Sequence, residues 1–251
     1  MSVAVLHVQP AFAAVLGQLG ITDAAAVFSD PRIRVWRSIR ERENATLDAA
    51  VDGRSIRFHI KRDKFRQSLP SSTEARQMLA LRSLGIATAN LVAHGALPDG
   101  RTFVITEHLE GYDAADNLIR AGAPFERLLG PTAALAGRLH AGGAFHRDLY
   151  LCHFLSTPDG SDVRLIDCAR VLINPVCKSR WRVKDLAQVA YSLRSLPVEP
   201  EQFERWLVEY ARVAGPISGW MRRRVDRKAD RIARHDARLR ERHPERSVSI
   251  S

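Results

Sequence analysis

The chain has 251 residues, 45% of them hydrophobic, and a formal net charge of +10. That length supports one large domain or two lobes sharing a core, and the composition argues against wholesale disorder. No run of 18 apolar residues occurs, so no membrane-spanning helix is expected, and Cys152, Cys168 and Cys177 form no CxxC pair, which argues against a disulfide framework or a zinc site. The first basic residue is Arg32. The apolar start therefore lacks the positive region of a secretory signal, and the expectation is a cytoplasmic protein with reduced thiols.

Residues 1–32 read as an N-terminal extension with a short helix over 10–20. Strands are expected over 33–37, 46–51 and 55–61, with Asp52-Gly53 turning between the last two. In the third strand Ile56, Phe58 and Ile60 alternate with Arg57, His59 and Lys61. Lys61 and His59 thus share the face opposite the apolar one. A helix follows, capped within 71–73, with Ala75, Met78, Leu79 and Arg82 as its stripe and Gly85 as its stop. Strands over 90–94 and 101–107, joined through Pro98-Asp99-Gly100, complete an antiparallel sheet lobe spanning 33–107.

Residues 108–220 are mainly helical by pattern. Apolar spacing marks helices around Leu128–Leu139, then Leu186, Val189, Ala190 and Leu193, then Phe203, Trp206, Leu207 and Tyr210. A hairpin of 151–155 with 163–166 interrupts them. Residues 221–251 form a basic helix and tail; 221–246 hold eleven Lys/Arg against five Asp/Glu, a net of +6. Val225, Ala229, Ile232, Asp236 and Leu239 supply that helix with a stripe. So dense a charge suits an anionic partner, whether nucleic acid, an acidic membrane surface or a phosphorylated substrate, or else a solvated face, and no clear nucleic-acid motif accompanies it. The expected class is α+β: a bilobal, protein-kinase-like order, with an antiparallel sheet lobe carrying one helix ahead of a mainly helical lobe.

The chemistry concentrates in Leu139-His140-Ala141-Gly142-Gly143-Ala144-Phe145-His146-Arg147-Asp148, where a helix ends at a glycine pair and the chain enters His-Arg-Asp. In kinases the Asp of that tripeptide accepts or orients the attacking hydroxyl. An ionised carboxylate suffices, because a loose transition state depends more on positioning than on basicity. Asp167 lies nineteen residues on, after the apolar Leu165-Ile166, where kinases hold magnesium with a hard oxygen ligand. Lys61 ends its strand as a phosphate-contacting lysine does, and Glu74, thirteen residues later in the next helix, is placed to pair with it. Asn44 and Glu107 join Lys61 as nucleotide-binding candidates. His146, Arg147 and Asp185 are supporting candidates. Asp185 reads either as an acceptor for catalytic-loop amides or as a charge favoured at a helix N-terminus.

His146-Arg147-Asp148-Leu149-Tyr150-Leu151-Cys152-His153-Phe154-Leu155, with Leu165-Ile166-Asp167 behind it, resembles the lipopolysaccharide core kinases, which phosphorylate heptose or Kdo sugars. The resemblance implies ATP and Mg2+ as cofactors, an anionic core acceptor, and a cytoplasmic enzyme at the inner face of the membrane. Arg222, Arg223, Arg224, Arg227, Lys228 and Arg231 would then face acidic lipid or core phosphate. Two features depart from ordinary protein kinases. His153 replaces the asparagine that binds a second magnesium, leaving metal, phosphate or structural roles open. The phosphate-covering segment Ser38-Ile39-Arg40-Glu41-Arg42-Glu43-Asn44 carries no glycine. The alternatives are a kinase for another small hydroxylated substrate or for protein, and a kinase-fold binding module without turnover.

Overall fold

The structure is a computed structural model that describes residues 3–51 and 53–242. The chain divides into two compact units, one of Met1–Ala80 with Ala89–Glu110 and one of Leu81–Thr88 with Gly111–Ser251.

The first unit contains β1 (Val5–Val8), α1 (Ala13–Gln18), α2 (Ala26–Ser29), β2 (Arg34–Ser38), β3 (Arg42–Val51), β4 (Arg54–Asp63), α3 (Ser72–Ser83, whose last turn belongs to the second unit), β5 (Leu91–Ala96) and β6 (Thr102–Glu107). The strands form a single sheet in the order β1-β5-β6-β4-β3-β2, and each neighbouring pair is antiparallel. Phe58 and Ile60 are buried while His59 and Lys61 occupy the opposite face, as the period-two alternation requires. β3 and β4 run to ten residues each, longer than the apolar pattern alone indicates. Charged cross-strand partners such as Arg62 and Glu43, 2.9 Å apart, extend the ladder beyond its apolar stretch. Residue 52 of the expected turn lies outside the described residues; Gly53, at φ +74°, provides the left-handed half of it.

Two expectations for this unit need correction. The N-terminal stretch is part of the sheet rather than an extension ahead of it. β1 pairs with β5, and Leu16, Ile21 and Val27 lie in the same core cluster as Leu47, Phe58 and Phe103. A Cβ on Gly95 would collide with the Val5 carbonyl, so the close approach of β1 depends on that glycine. In α3 the buried face is Glu74, Ala75, Met78 and Leu81, whereas Leu79 and Arg82 are exposed. The true stripe includes a charged residue, because Glu74 is ion-paired with Lys61.

The second unit holds β7 (Asp113–Ala114), α4 (Ala115–Arg120), α5 (Phe125–Ala141), β8 (Ala144–Phe145), β9 (Phe154–Ser156), β10 (Val163–Leu165), β11 (Leu172–Ile173), α6 (Lys178–Arg194), α7 (Pro200–Ala214) and α8 (Gly219–Arg242). α5 packs on α7 and α6 on α8; Trp206 of α7 is buried and donates its indole N–H to Thr132 of α5 at 2.9 Å. The hairpin is shorter than expected: Leu151–His153 is a 3-10 turn, and only Phe154–Ser156 pairs with Val163–Leu165. β11 pairs with β8, which brings the chain after Asp167 back beside the entry to His146. α6 begins at Lys178, well ahead of Leu186, so Asp185 sits two turns inside the helix. Its reading as an N-terminal helix charge is therefore overturned.

Candidate active site

In the first unit, Lys61 donates to both oxygens of Glu74, at 2.9 and 2.8 Å. Glu74 is buried in the first turn of α3, and that turn is anchored by a residue the sequence did not single out. Asp63 is 2% exposed; it accepts from the Ser71 amide at 3.0 Å, the Ser71 hydroxyl at 2.7 Å and the Thr102 hydroxyl at 2.6 Å. Two residues along β4 from Lys61, it fixes the start of the helix whose Glu74 holds Lys61. Asn44 lies directly opposite Lys61 across the β3–β4 ladder, and its Oδ1 is buried with no hydrogen-bond partner among the described residues.

The link between β2 and β3 is a three-residue turn, closed by the Ile39 amide donating to the Arg42 carbonyl at 2.9 Å. It is too short for a long phosphate-covering loop and leaves Arg40 and Arg42 beside Asn44 in sequence. The Glu107 carboxylate accepts from the Asn90 amide at 2.7 Å, which ties down the end of β6.

In the second unit, the His146–Tyr150 loop is held by three side chains of one α6 face. Asp185 accepts from the His146 and Arg147 amides, both at 2.8 Å. Gln188 accepts from the Leu149 amide at 2.9 Å, and Ser192 from the Leu151 amide at 3.2 Å. Spacings of three and four residues place such side chains in a row along one helix face. Arg147 takes φ +67°, a left-handed conformation that costs a non-glycine residue energy. Asp185 holds the amides before that N–Cα bond, and Lys184 and Gln188 hold the far side by donating to the Arg147 carbonyl.

Asp185 is itself oriented from behind. Arg182 donates to the Tyr210 oxygen at 2.7 Å, Tyr210 lies 2.7 Å from His140 Nδ1, and His140 Nε2 lies 3.2 Å from Asp185. These distances fit one proton arrangement, in which Tyr210 donates to Nδ1 and His140 donates from Nε2. Burial pushes the Tyr210 hydroxyl pKa up, which keeps it a donor.

Asp148 emerges from this clamp with its carboxylate partly exposed. Gln188 Nε2 donates to Oδ1 at 3.2 Å, and Arg170 stands 3.9 Å from Oδ2. Behind it, His153 Nδ1 donates to the Asp148 carbonyl at 2.6 Å. The proton must sit on Nδ1, because a carbonyl only accepts; in the neutral ring Nε2 then presents a lone pair, 3.7 Å from Asp167 Oδ2. His146 Nε2 donates to the Ile166 carbonyl at 2.9 Å and ties the loop to the residue before Asp167. Asp148, His153, His146 and Asp167 are thus one connected cluster, and Asp167 takes φ +54° at its apex.

Among the described residues no three His, Cys, Asp or Glu side chains come together as a self-sufficient metal cage. Magnesium is commonly held by one or two carboxylates and completed by phosphate and water. The Asp167 carboxylate, with His153 Nε2 directed beside it, fits that limited protein contribution.

Burial lowers the pKa of His146, and the neighbouring His153 adds to the effect. His59, half-buried and close to His108, and His94, half-buried beside His7, are lowered in the same sense. The unfolded chain therefore takes up protons as pH drops below about 6.5, while the folded chain resists them. Stability is expected to be full above that pH and to fall below it, by up to about 1.4 kcal/mol per pH unit for each extra proton. Urea unfolding between pH 7.5 and 5.5 would measure it; a midpoint that stays level or rises on acidification contradicts this account.

With the geometry in place, comparison with known proteins is decisive. Residues 22–210 match the model of the lipopolysaccharide kinase (Kdo/WaaP) family. The chain belongs to that family. It is 28% identical over 239 residues to the lipopolysaccharide core heptose(I) kinase WaaP of Pseudomonas aeruginosa, covering 80% of this chain and 88% of that one. A WaaP of Escherichia coli is 31% identical over 147 residues, covering 52% of this chain and 56% of its own length. A solved structure of WaaP in complex with acyl carrier protein superposes with a TM-score of 0.64 and 25% identity, covering 89% of this chain and 99% of that one. An aminoglycoside-3'-phosphotransferase of type VIII, at TM-score 0.56 and 19% identity over 78% of this chain and 93% of that one, shares the fold. The fold is α+β and protein-kinase-like, as the element order indicated, and a Kdo/WaaP family member is a kinase.

Proposed function

We propose that this protein transfers the terminal phosphate of ATP to a hydroxyl of a heptose in the inner core of lipopolysaccharide. The observation that carries the proposal is the α6 clamp, which holds Asp148 with Asp167 in one connected cluster in a chain of this family. Asp148 orients the sugar hydroxyl and accepts its proton. Gln188 holds Oδ1 of that carboxylate and leaves Oδ2 for the acceptor. Lys61, fixed by Glu74, contacts the phosphates, and the Asn44 amide beside it in the ladder extends that contact in place of a glycine loop. Asp167 holds Mg2+, with His153 as the residue that spaces Asp167 from the Asp148 backbone. When bound, the metal neutralises charge on the phosphate oxygens. His146, Arg147 and Asp185 keep the loop in its strained conformation.

No helix of the described residues is long and apolar enough to cross a membrane. We place the activity in the cytoplasm, with peripheral contact at an acidic membrane surface. Acyl carrier protein, the partner in the solved WaaP complex, is a candidate partner here as well. The test is incubation with labelled ATP, magnesium and a panel of dephosphorylated inner-core acceptors, followed by location of the phosphate. Label on a core heptose is the expected result. Label on Kdo only, on protein only, or ATP binding without any transfer would overturn the assignment, the last outcome pointing to a binding module.

A further inference from the structure

Three of the four acidic residues of α8, all but Glu241, pair with α6. Asp226 and Asp230 pair with Arg194 of α6 at 3.4 and 2.7 Å, and Asp236 accepts from the Tyr191 hydroxyl. Val225 and Ala229 are buried in the same seam. Arg222, which the sequence placed among the anion-binding residues, is also drawn inward: it pairs with Glu204 at 2.5 Å and Asp226 at 3.0 Å, and lies over the Phe203 ring. What remains outward is predominantly basic, with Glu241 in the last turn as an exposed carboxylate. Arg223, Arg224, Arg227, Arg231, Arg234 and Arg238 are all exposed, along a helix of 24 residues. At the start of that face Trp220 is 49% exposed, with the Arg224 guanidinium 4.6 Å from its ring centroid.

A solvated helix face ordinarily mixes signs to form i,i+4 pairs. Here three carboxylates pair with the protein, and the outward row carries six arginines against Glu241. At 1.5 Å per residue, the row from Arg223 to Arg238 spans about 23 Å. We infer that the outward face of α8 is a docking surface for the anionic headgroups of a phospholipid bilayer, with Trp220 entering the interfacial layer at one end. A long, straight row of guanidinium groups matches a flat sheet of phosphates, and an indole ring with a polar N–H favours the headgroup zone. This rests on the proposed function, in which the acceptor sugar is attached to a membrane lipid. Each such arginine strengthens partition about fivefold.

The test compares the full-length protein with the triple variant Arg227→Gln, Arg231→Gln, Arg234→Gln, which keeps good helix formers. A control, Arg54→Gln, Arg82→Gln, Arg138→Gln, removes the same charge from exposed positions elsewhere. Binding is read by co-sedimentation with phosphatidylcholine vesicles, with and without phosphatidylglycerol. The α8 triple is expected to lose about 100-fold in affinity for the anionic vesicles, and the control less than about fivefold. Equal losses in both triples, or wild-type binding no tighter to anionic than to neutral vesicles, would overturn the inference. So would an α8 triple that still binds vesicles but no longer binds acyl carrier protein, which would assign the face to a protein. Turnover of a soluble, delipidated core acceptor is measured in parallel. If it is absent while α8-dependent vesicle binding persists, the kinase proposal fails and the docking surface stands.

Discussion

Asp148→Asn is expected to lower kcat by about 10²- to 10⁴-fold while leaving the Kd for ATP within about twofold of wild type. The substitution preserves shape, and an asparagine still has an oxygen to accept from Gln188 Nε2. It cannot take a proton from the attacking hydroxyl, and its NH2 would meet that hydroxyl as a donor. Folding should hardly change, because the carboxylate is partly exposed and the loop is fixed through backbone amides instead. Gln188→Leu makes the matching case. It keeps the carboxylate but removes the donor on Oδ1, and a misplacement of that kind can cost up to about 100-fold. Single-turnover transfer from labelled ATP, alongside calorimetric ATP binding, separates chemistry from affinity. An Asp148→Asn protein that transfers phosphate within about tenfold of the wild-type rate sinks the assignment of Asp148.

The residues proposed to carry the chemistry are legible because each sits at a marked place in the pattern. Lys61 ends an alternating strand, Asp148 follows a glycine pair, and Asp167 follows a short apolar strand. The Lys61–Glu74 ion pair, expected from order alone, forms in both hydrogen bonds. The supports of those residues were harder to read. Lys178–Arg194 opens with a cationic stretch around Trp181 that has no apolar period, so the helix seemed to start near Leu186. That stretch is anchored by other means: Arg147 and Arg180 lie over the Trp181 ring, and Arg182 reaches Tyr210 and the Gly215 carbonyl.

Gln188 and Ser192 look like interruptions in an apolar stripe. The signal that would have found them is the row they make with Asp185, three and four residues apart on a buried face. A buried polar row needs partners, and backbone amides of a strained loop are suitable ones. The N-terminal strand failed for a different reason. Val5–Val8 is short, and its partner lies about ninety residues away in β5, a pairing that local periodicity cannot report. Asp63 carries no local signal, because its partners, Ser71 and Thr102, come from two other segments.

The clamp itself provides the second large effect. Asp185→Ala leaves three buried donors, the His146 amide, the Arg147 amide and His140 Nε2, without their acceptor. An unsatisfied buried donor costs about 1–3 kcal/mol, and these share one site, so a loss of about 3–5 kcal/mol in unfolding free energy is expected. Such a loss is a large part of a typical domain's stability. The activity that survives in the folded fraction should also be low, because Arg147 would be free to leave its left-handed conformation and carry Asp148 with it. Asp185→Asn should fall between the two proteins, since it keeps one acceptor but turns an N–H2 toward another donor. Urea midpoints, together with kcat corrected for the folded fraction, tell a purely structural role from a positioning one. Full specific activity in the folded Asp185→Ala protein would mean that the loop holds its shape without the clamp. A destabilised protein with a proportionally larger loss of kcat would show that α6 sets the position of the catalytic carboxylate.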